Sequence, residues 1–379
     1  MAPTRPIRIL IVDDSAVIRS LLRTVITSAP GLEVAGTAAD GVSALQTIRM
    51  NKPDLVLLDV EMPVKDGLAT LRDLRRQGFK MPVIMCSSLT QRGAKVTIEA
   101  LASGASDYVA KPSGQANRDS ATRALAQELI PKIQALTAHL QRAAASAPVS
   151  PLIPAQAPPP PAQAPTAAPT VLAIGVSTGG PAALDVVLPA LPAGFPIPIL
   201  IVQHMPEVFT KLFADRLNSR CQLRAAEGAE GMPVQPGNIY IAKGNWHMEV
   251  LPPMRPGAPP TIHLNQDAPE NHCRPAVDVL FRSVAKVYGS TILAVILTGM
   301  GSDGLLGCRL IRSQGGCVLA QDQATSTVWG MPGAVAQAGL AYRVLPLEAV
   351  ANEILRLAGR PAVASPASAQ TRDLNRVMV

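Results

Sequence analysis

A run of alanine, proline and glutamine divides this chain. Residues 154–165 read Pro-Ala-Gln-Ala-Pro-Pro-Pro-Pro-Ala-Gln-Ala-Pro, and the same bias extends over about 143–169. Nothing in that stretch can form a core, and proline stiffens it into a semi-extended spacer. Whatever folds must therefore fold on either side of it. At 379 residues there is length for two domains, each with its own core. The expected division is a first domain over 1–125, a helix end and linker over 126–170, a second domain over 171–358, and a flexible tail over 359–379.

Composition removes several classes of function. No apolar run approaches the ~20 residues of a membrane span. The opening Met1-Ala2-Pro3-Thr4-Arg5-Pro6 lacks the apolar centre of a signal peptide, so a cytoplasmic protein without membrane insertion is expected. The five cysteines are odd in number and none has C-x-x-C spacing, which points to reduced thiols rather than disulfides or zinc. The net charge of +7 is spread over helix faces and tails, with no basic tract interleaved with aromatics. It reads as a solvated surface, with no nucleic-acid partner. A monomer is expected.

In the first domain, short β-rich runs over 7–12, 33–38, 54–58, 82–86 and 107–110 alternate with helical spacing over 16–28, 41–50, 67–77, 94–103 and 120–139. That alternation predicts an α/β domain with a parallel, doubly wound sheet. The polar residues fall at the ends of the strands: Asp13 and Asp14 after the first, Asp59 after the third, Ser87 after the fourth and Lys111 after the fifth. In open α/β sheets that edge is where ligands bind. Carboxylates gathered there repel unless a cation joins them, and hard oxygen ligands suit Mg²⁺. A carboxylate beside such an ion can accept a phosphoryl group, while a lysine and a small hydroxyl hold its oxygens. Each residue alone could be a helix cap or a surface ion pair; the set at one edge argues otherwise.

These elements resemble the receiver domain of two-component response regulators, with a flavodoxin-like fold. The resemblance rests on Asp13-Asp14, on Leu-Leu-Asp-Val-Glu-Met-Pro around Asp59, and on Gly67, Ser87 and Lys111-Pro112. It implies that Asp59 is the phosphoacceptor. It further implies that Mg²⁺ is held by Asp14 directly, by Asp13 through water, by Asp59 and by the Glu61 carbonyl. Ser87, Tyr108 and Lys111 become the switch residues, and a histidine kinase the phosphodonor.

The second domain repeats the theme. Strands are predicted over 171–176, 198–202, 291–297 and 317–320, and helices over 181–188, 208–218, 275–288, 305–314 and 348–357. Hairpins are expected within 223–264. Ser177 follows the first strand in Gly-Val-Ser-Thr-Gly-Gly, His204 ends the second, and Asp303 lies in the loop after a third. If those strands are neighbours, the three side chains meet at one sheet edge. A serine hydroxyl needs an imidazole to take its proton and a carboxylate to orient that imidazole. Amides of Thr178 and Met300 are the oxyanion-hole candidates. The chain order Ser, His, Asp differs from that of an α/β-hydrolase.

Other readings of these residues are plainer. The glycine-rich turn could cradle a dinucleotide, but that requires an acid at the end of the next strand, where Gln203-His204 stands. Asp303 could be only a helix cap. His247, His263 and His272 lie away from strand ends, and Cys273 is expected to have no histidine or acid well placed around it. A non-enzymatic output module, in which the three residues do not converge, is the alternative of a different class.

The stretches 174–180, Val-Gln-His-Met-Pro at 202–206, Arg-Pro-Ala-Val-Asp-Val-Leu-Phe at 274–281, Leu-Thr-Gly-Met-Gly at 297–301 and Ala-Gln-Asp at 320–322 resemble the catalytic domain of the chemotaxis protein-glutamate methylesterases. Val176 stands where that family usually has alanine, and Ser302 where asparagine is commoner. The resemblance implies a Rossmann-like domain that needs no cofactor for hydrolysis. It would act on γ-glutamyl methyl esters and certain glutamines of chemoreceptors, and its access would be governed by the receiver.

Overall fold

The computed structural model describes residues 5–88, 90–112, 118–145 and 167–359. Most of the expected proline spacer, and the expected tail beyond Gly359, lie outside these residues.

The first domain runs β1 (Ile7–Val12), α1 (Ala16–Ser28), β2 (Leu32–Ala38), α2 (Gly41–Asn51), β3 (Leu55–Asp59), α3 (Gly67–Arg76), β4 (Val83–Ser87), α4 (Gln91–Ala102), β5 (Asp107–Ala110) and α5 (Arg118–Ala145). The five strands form a parallel sheet in the order β2-β1-β3-β4-β5. β3 and β4 are buried along their whole length. Helices cover both faces, so the interior strands read as continuous apolar runs rather than alternating ones.

The second domain runs β6 (Val171–Val176), α6 (Gly180–Val187), β7 (Ile199–Gln203), α7 (Glu207–Arg220), β8 (Arg224–Glu227), β9 (Asn238–Ile241), β10 (His247–Leu251), β11 (Thr261–Asn265), α8 (Val277–Tyr288), β12 (Ile292–Ile296), α9 (Leu305–Ser313), β13 (Cys317–Gln321), α10 (Met331–Gln337), β14 (Arg343–Leu345) and α11 (Leu347–Leu357). Seven strands form one parallel sheet, ordered β14-β13-β12-β6-β7-β9-β8. α8 buries Val277, Leu280, Phe281, Val284 and Ala285, the i, i+3, i+4 stripe of a helix laid against a core.

The expected hairpins over 223–264 are only partly present. β10 and β11 do form an antiparallel pair. β8 and β9 instead extend the main sheet in parallel beyond β7. β8 is short and half exposed because it lies at the sheet edge, so it lacked the apolar run that marks an interior strand.

The order β12-β6-β7 is what positions the site. β6 sits between the other two, and the connections leave it in opposite directions. The crevice at such a switch point lies beyond the carboxyl ends of the strands. The loops after β6, β7 and β12 carry Ser177, His204 and Asp303 to that one edge. The two domains also share apolar core. Ile98 and Leu101 of α4, with Tyr108 of β5, belong to the same buried cluster as Leu184, Phe209 and Phe213 of α6 and α7.

Candidate active site and receiver acid cluster

The Ser177 turn is built tightly. Gly179 has φ +78° and caps α6 from the left-handed region that disfavours a side chain. The Ser177 amide donates to the Thr298 carbonyl at 3.0 Å, which ties the turn to the exit of β12. Gly299 lies directly beneath it: a Cβ there would sit 2.4 Å from Met331 Sδ and 2.9 Å from Ser177 Cβ. Gln203, 2% exposed, donates from Nε2 to the carbonyls of Ser177 at 3.1 Å and His204 at 3.3 Å, joining the two loops.

His204 Nε2 donates to Asp303 Oδ2 at 2.8 Å. Asp303 is 2% exposed and is anchored at the N-terminus of α8. Its carboxylate accepts the amides of Val277 at 2.7 Å, Asp278 at 3.0 Å and Gly304 at 2.9 Å, and Asn271 Nδ2 at 2.9 Å. Burial alone would raise this carboxyl, but the His204 bond and the helix amides outweigh it and lower its pKa. Burial also opposes a charged His204 ring. The bonds to Asp303 and Cys273 overcome that cost, and its pKa is raised to about 9. Asp303 serves as more than a cap of α9, since Gly304 holds the cap position.

In the neutral imidazole, with Nε2–H committed to Asp303, the lone pair is at Nδ1. Among the described residues Nδ1 has the Cys273 thiol as its partner, at 3.4 Å, and no hydrogen bond from Ser177. This corrects the expectation for Cys273, which has both a histidine and, through it, an acid within reach. Asn271 and Cys273 carried no local signal in the sequence. They arrive by a turn in which Asn271 (φ 52°) and His272 (φ 63°) are both left-handed. His247 is a core histidine instead, bonded to the Ala268 carbonyl at 3.1 Å and accepting the Ala276 amide at 3.3 Å. His263 faces Glu230 on the surface.

Ser177, His204, Cys273 and Met300 line one cleft of about 770 Å³. Its opposite wall is the first domain. Thr178 Oγ1, one residue beyond Ser177, donates to Asp107 Oδ2 at 2.6 Å. Lys132 of α5 lies 3.5 Å from the other oxygen of Asp107 and donates to the Tyr108 carbonyl at 2.6 Å. The Tyr108 ring stacks on Phe209 of α7, centroids 4.6 Å apart. Such a pair contributes about 1 kcal/mol beyond its buried area.

At the carboxyl edge of the first sheet, the carboxylates of Asp13, Asp14 and Asp59 approach within 4.8 Å of one another. Lys111 Nζ is 2.7 Å from both Asp13 Oδ2 and Asp59 Oδ1. Three carboxylates and one ammonium leave two negative charges, and the buried Asp13 Oδ2 has no well-directed hydrogen bond. Hard oxygen donors with that charge fit Mg²⁺. Burial, aided by the Asp13 charge and opposed by Lys111, raises the Asp59 pKa to about 6. Ser87 Oγ is buried, accepting from Thr97 at 2.7 Å and donating to the Ser88 carbonyl at 3.1 Å. The Glu61 amide reaches Asp59 Oδ1 at 3.4 Å, and its side chain pairs with Arg92.

Comparison with known proteins agrees with both halves of this geometry. Residues 9–123 match the response regulator receiver domain, and residues 172–354 match the CheB methylesterase family. A protein-glutamate methylesterase/protein-glutamine glutaminase of Trichodesmium erythraeum is 47% identical over 93% of this chain and 99% of its own length. The chain belongs to the protein-glutamate methylesterase/protein-glutamine glutaminase family. A methylesterase of the same description from a Nocardioides species is also 47% identical, over 93% of this chain and 96% of its own. Among solved structures, the Thermotoga maritima CheB methylesterase catalytic domain is 41% identical, with a TM-score of 0.48. It is matched over its full length by 50% of this chain. The two family matches span the two main sheets described above. No helix among the described residues is long and apolar enough to cross a membrane.

Proposed function

We propose that this chain is a phosphorylation-regulated serine hydrolase. It removes methyl groups from γ-glutamyl methyl esters of chemoreceptors and deamidates particular receptor glutamines. The observation that carries this reading is the Asp303–His204 pair at the sheet edge from which Ser177 projects. Nδ1 of His204 takes the Ser177 proton as Oγ attacks the γ-carbonyl. The tetrahedral intermediate collapses when the protonated imidazole gives that proton to the leaving methoxy oxygen, releasing methanol, or to the leaving nitrogen of a glutamine, releasing ammonia. Water then repeats the cycle on the acyl-Ser177 and leaves a glutamate carboxylate. Amides of the Thr178 and Met300 loops stabilise the oxyanion. One triad serves both reactions because both pass through the same acyl-enzyme, and hydrolysis needs no cofactor.

Asp59 is the phosphoacceptor in this reading, and a chemotaxis histidine kinase is the donor. Mg²⁺ held by Asp13, Asp14, Asp59 and the Glu61 carbonyl would neutralise charge on the incoming phosphoryl group. Lys111 and Ser87 then hold its oxygens, which requires the Ser87 hydroxyl to turn its proton away from the Ser88 carbonyl. β4 and β5 are hydrogen-bonded neighbours, so rearrangement at Ser87 and Lys111 bears on Asp107 and Tyr108, the residues that hold Thr178 and Phe209. Phosphorylation thereby favours a state in which the receiver withdraws from the cleft. We take the receiver as 1–125 and the hydrolase as 171–358, joined by the proline-rich linker and followed by a flexible tail. The enzyme acts as a cytoplasmic monomer, with free cysteines as found at all five positions.

The test is methanol release from methylated receptor by the full chain, with and without a small phosphodonor. Stimulated release in the wild type and unstimulated basal release in Asp59→Asn are expected. No release from any methylated receptor, at any phosphodonor concentration, contradicts the reading.

A further inference from the structure

The contacts around His204 form a closed circuit that the serine mechanism does not use. His204 bonds Asp303 through Nε2 and Cys273 through Nδ1. Cys273 is pinned to Glu270 by reciprocal backbone bonds of 2.8 and 3.1 Å. Between them Asn271 reaches back, donating to Asp303 Oδ1 at 2.9 Å and to Asp278 Oδ2 at 3.1 Å. The turn that presents the thiol is therefore tied to the same carboxylate that orients the ring. One hydrogen bond to Asp303 leaves an imidazole free to tilt about that contact; a second, at the opposite nitrogen, fixes its plane.

We propose that Cys273 is a positioning residue for the base: its sulfur stays against the Nδ1 side of His204 and fixes the ring in the orientation from which Nδ1 takes the Ser177 proton. This rests on the serine-hydrolase reading above. A thiol suits the task because S–H is a weak donor. It can hold the ring edge and still leave Nδ1 open to the stronger O–H of Ser177. When the serine proton moves to Nδ1, the thiol keeps its own proton and its sulfur faces the new N–H as a weak acceptor; no bond to sulfur forms.

The kinetic test uses the full chain with phosphodonor and methylated receptor. Cys273→Ala should lower kcat about ten-fold, the scale expected when a reacting group is misaligned, with KM changed less than about two-fold. Cys273→Val, which fills the space without a donor, should show the same loss. Cys273→Ser should restore kcat to within about three-fold of the wild type. The spectroscopic test compares histidine ¹⁵N spectra of the unphosphorylated Ser177→Ala chain with and without Cys273→Ala. The His204 Nδ1 resonance should lose its hydrogen-bonded position in the double variant only. Wild-type kcat in both Cys273→Ala and Cys273→Val, or an unmoved Nδ1 resonance, overturns the proposal. So does equal loss of kcat in Cys273→Ser. If Ser177→Ala alone hydrolyses receptor esters, the serine reading itself has failed, and that result is separate from all of these.

Discussion

At the scale of single residues, the site is governed by how charge is held out of water. Asp303 keeps its charge because four backbone and side-chain N–H groups besides His204 point at it. Asp303→Asn would turn a donor toward Nε2, force the other tautomer and leave no lone pair at Nδ1. Methanol release should fall by about 10³-fold or more. The same pair gives stability a pH signature. The His204 pKa is raised from its ordinary 6.5 to about 9, so its contribution is full below pH 6.5 and is lost as pH rises through 9. Relative to His204→Gln, unfolding of the wild-type chain should show a stability advantage on the order of 3 kcal/mol that disappears over that window. Asp59 follows the same sign in a lower window. Its folded pKa of about 6 lies above the ordinary 3.8, so its favourable contribution is present below pH 3.8 and lost as pH rises through 6. At pH 7.5 it is a buried charge next to Asp13, relieved only in part by Lys111. Without divalent ions, Asp59→Asn should therefore be more stable than the wild type in denaturant unfolding at pH 7.5. Mg²⁺ should narrow the difference by stabilising the wild type alone.

At the scale of elements, the close approach of three loops matters more than any one of them. Gly299→Ala would drive a methyl into Met331 and Ser177, at a cost of about 1–3 kcal/mol. It should reduce methanol release more than it reduces stability, as read by kcat alongside denaturant midpoints. Much of this architecture was legible in the sequence. Asp13, Asp59, Lys111, Ser177, His204 and Asp303 all follow strands or their loops, and alternating strand and helix patterns put those ends on one side of a sheet. The parts that could not be read there depend on non-local pairing. β8 resembled a hairpin strand because an edge strand is short and half polar, and nothing local states that β9 pairs in parallel between β7 and β8. α10 and β14 were not anticipated: one is seven residues long and the other three, too brief for periodicity to accumulate. Cys273 and Asn271 owe their place to a pair of left-handed residues, Asn271 and His272, neither of them glycine. The sequence offered no glycine to mark that turn.

At the scale of the whole molecule, the receiver covers the cleft by a few specific contacts laid over a shared apolar cluster. Lys132, Asp107 and Thr178 form a polar line that ends one residue from the nucleophile. The Tyr108–Phe209 stack fastens the apolar side. If the covered and open states are in equilibrium, weakening a contact made only in the covered state raises basal activity and lowers the factor by which phosphorylation stimulates it. Asp107→Asn, which keeps the shape and removes the charge, should raise methanol release without phosphodonor several-fold. The fully phosphorylated rate should stay near that of the wild type. Two equal rates without phosphodonor would mean that Asp107 does not hold the receiver in place. Cover and chemistry meet at Ser177, and a single comparison tests that junction most directly: methanol release from methylated receptor by the full-length wild type and by Ser177→Ala, both with saturating phosphodonor. The account predicts rapid release by the wild type and none above background by the variant. Undiminished release by Ser177→Ala would contradict it.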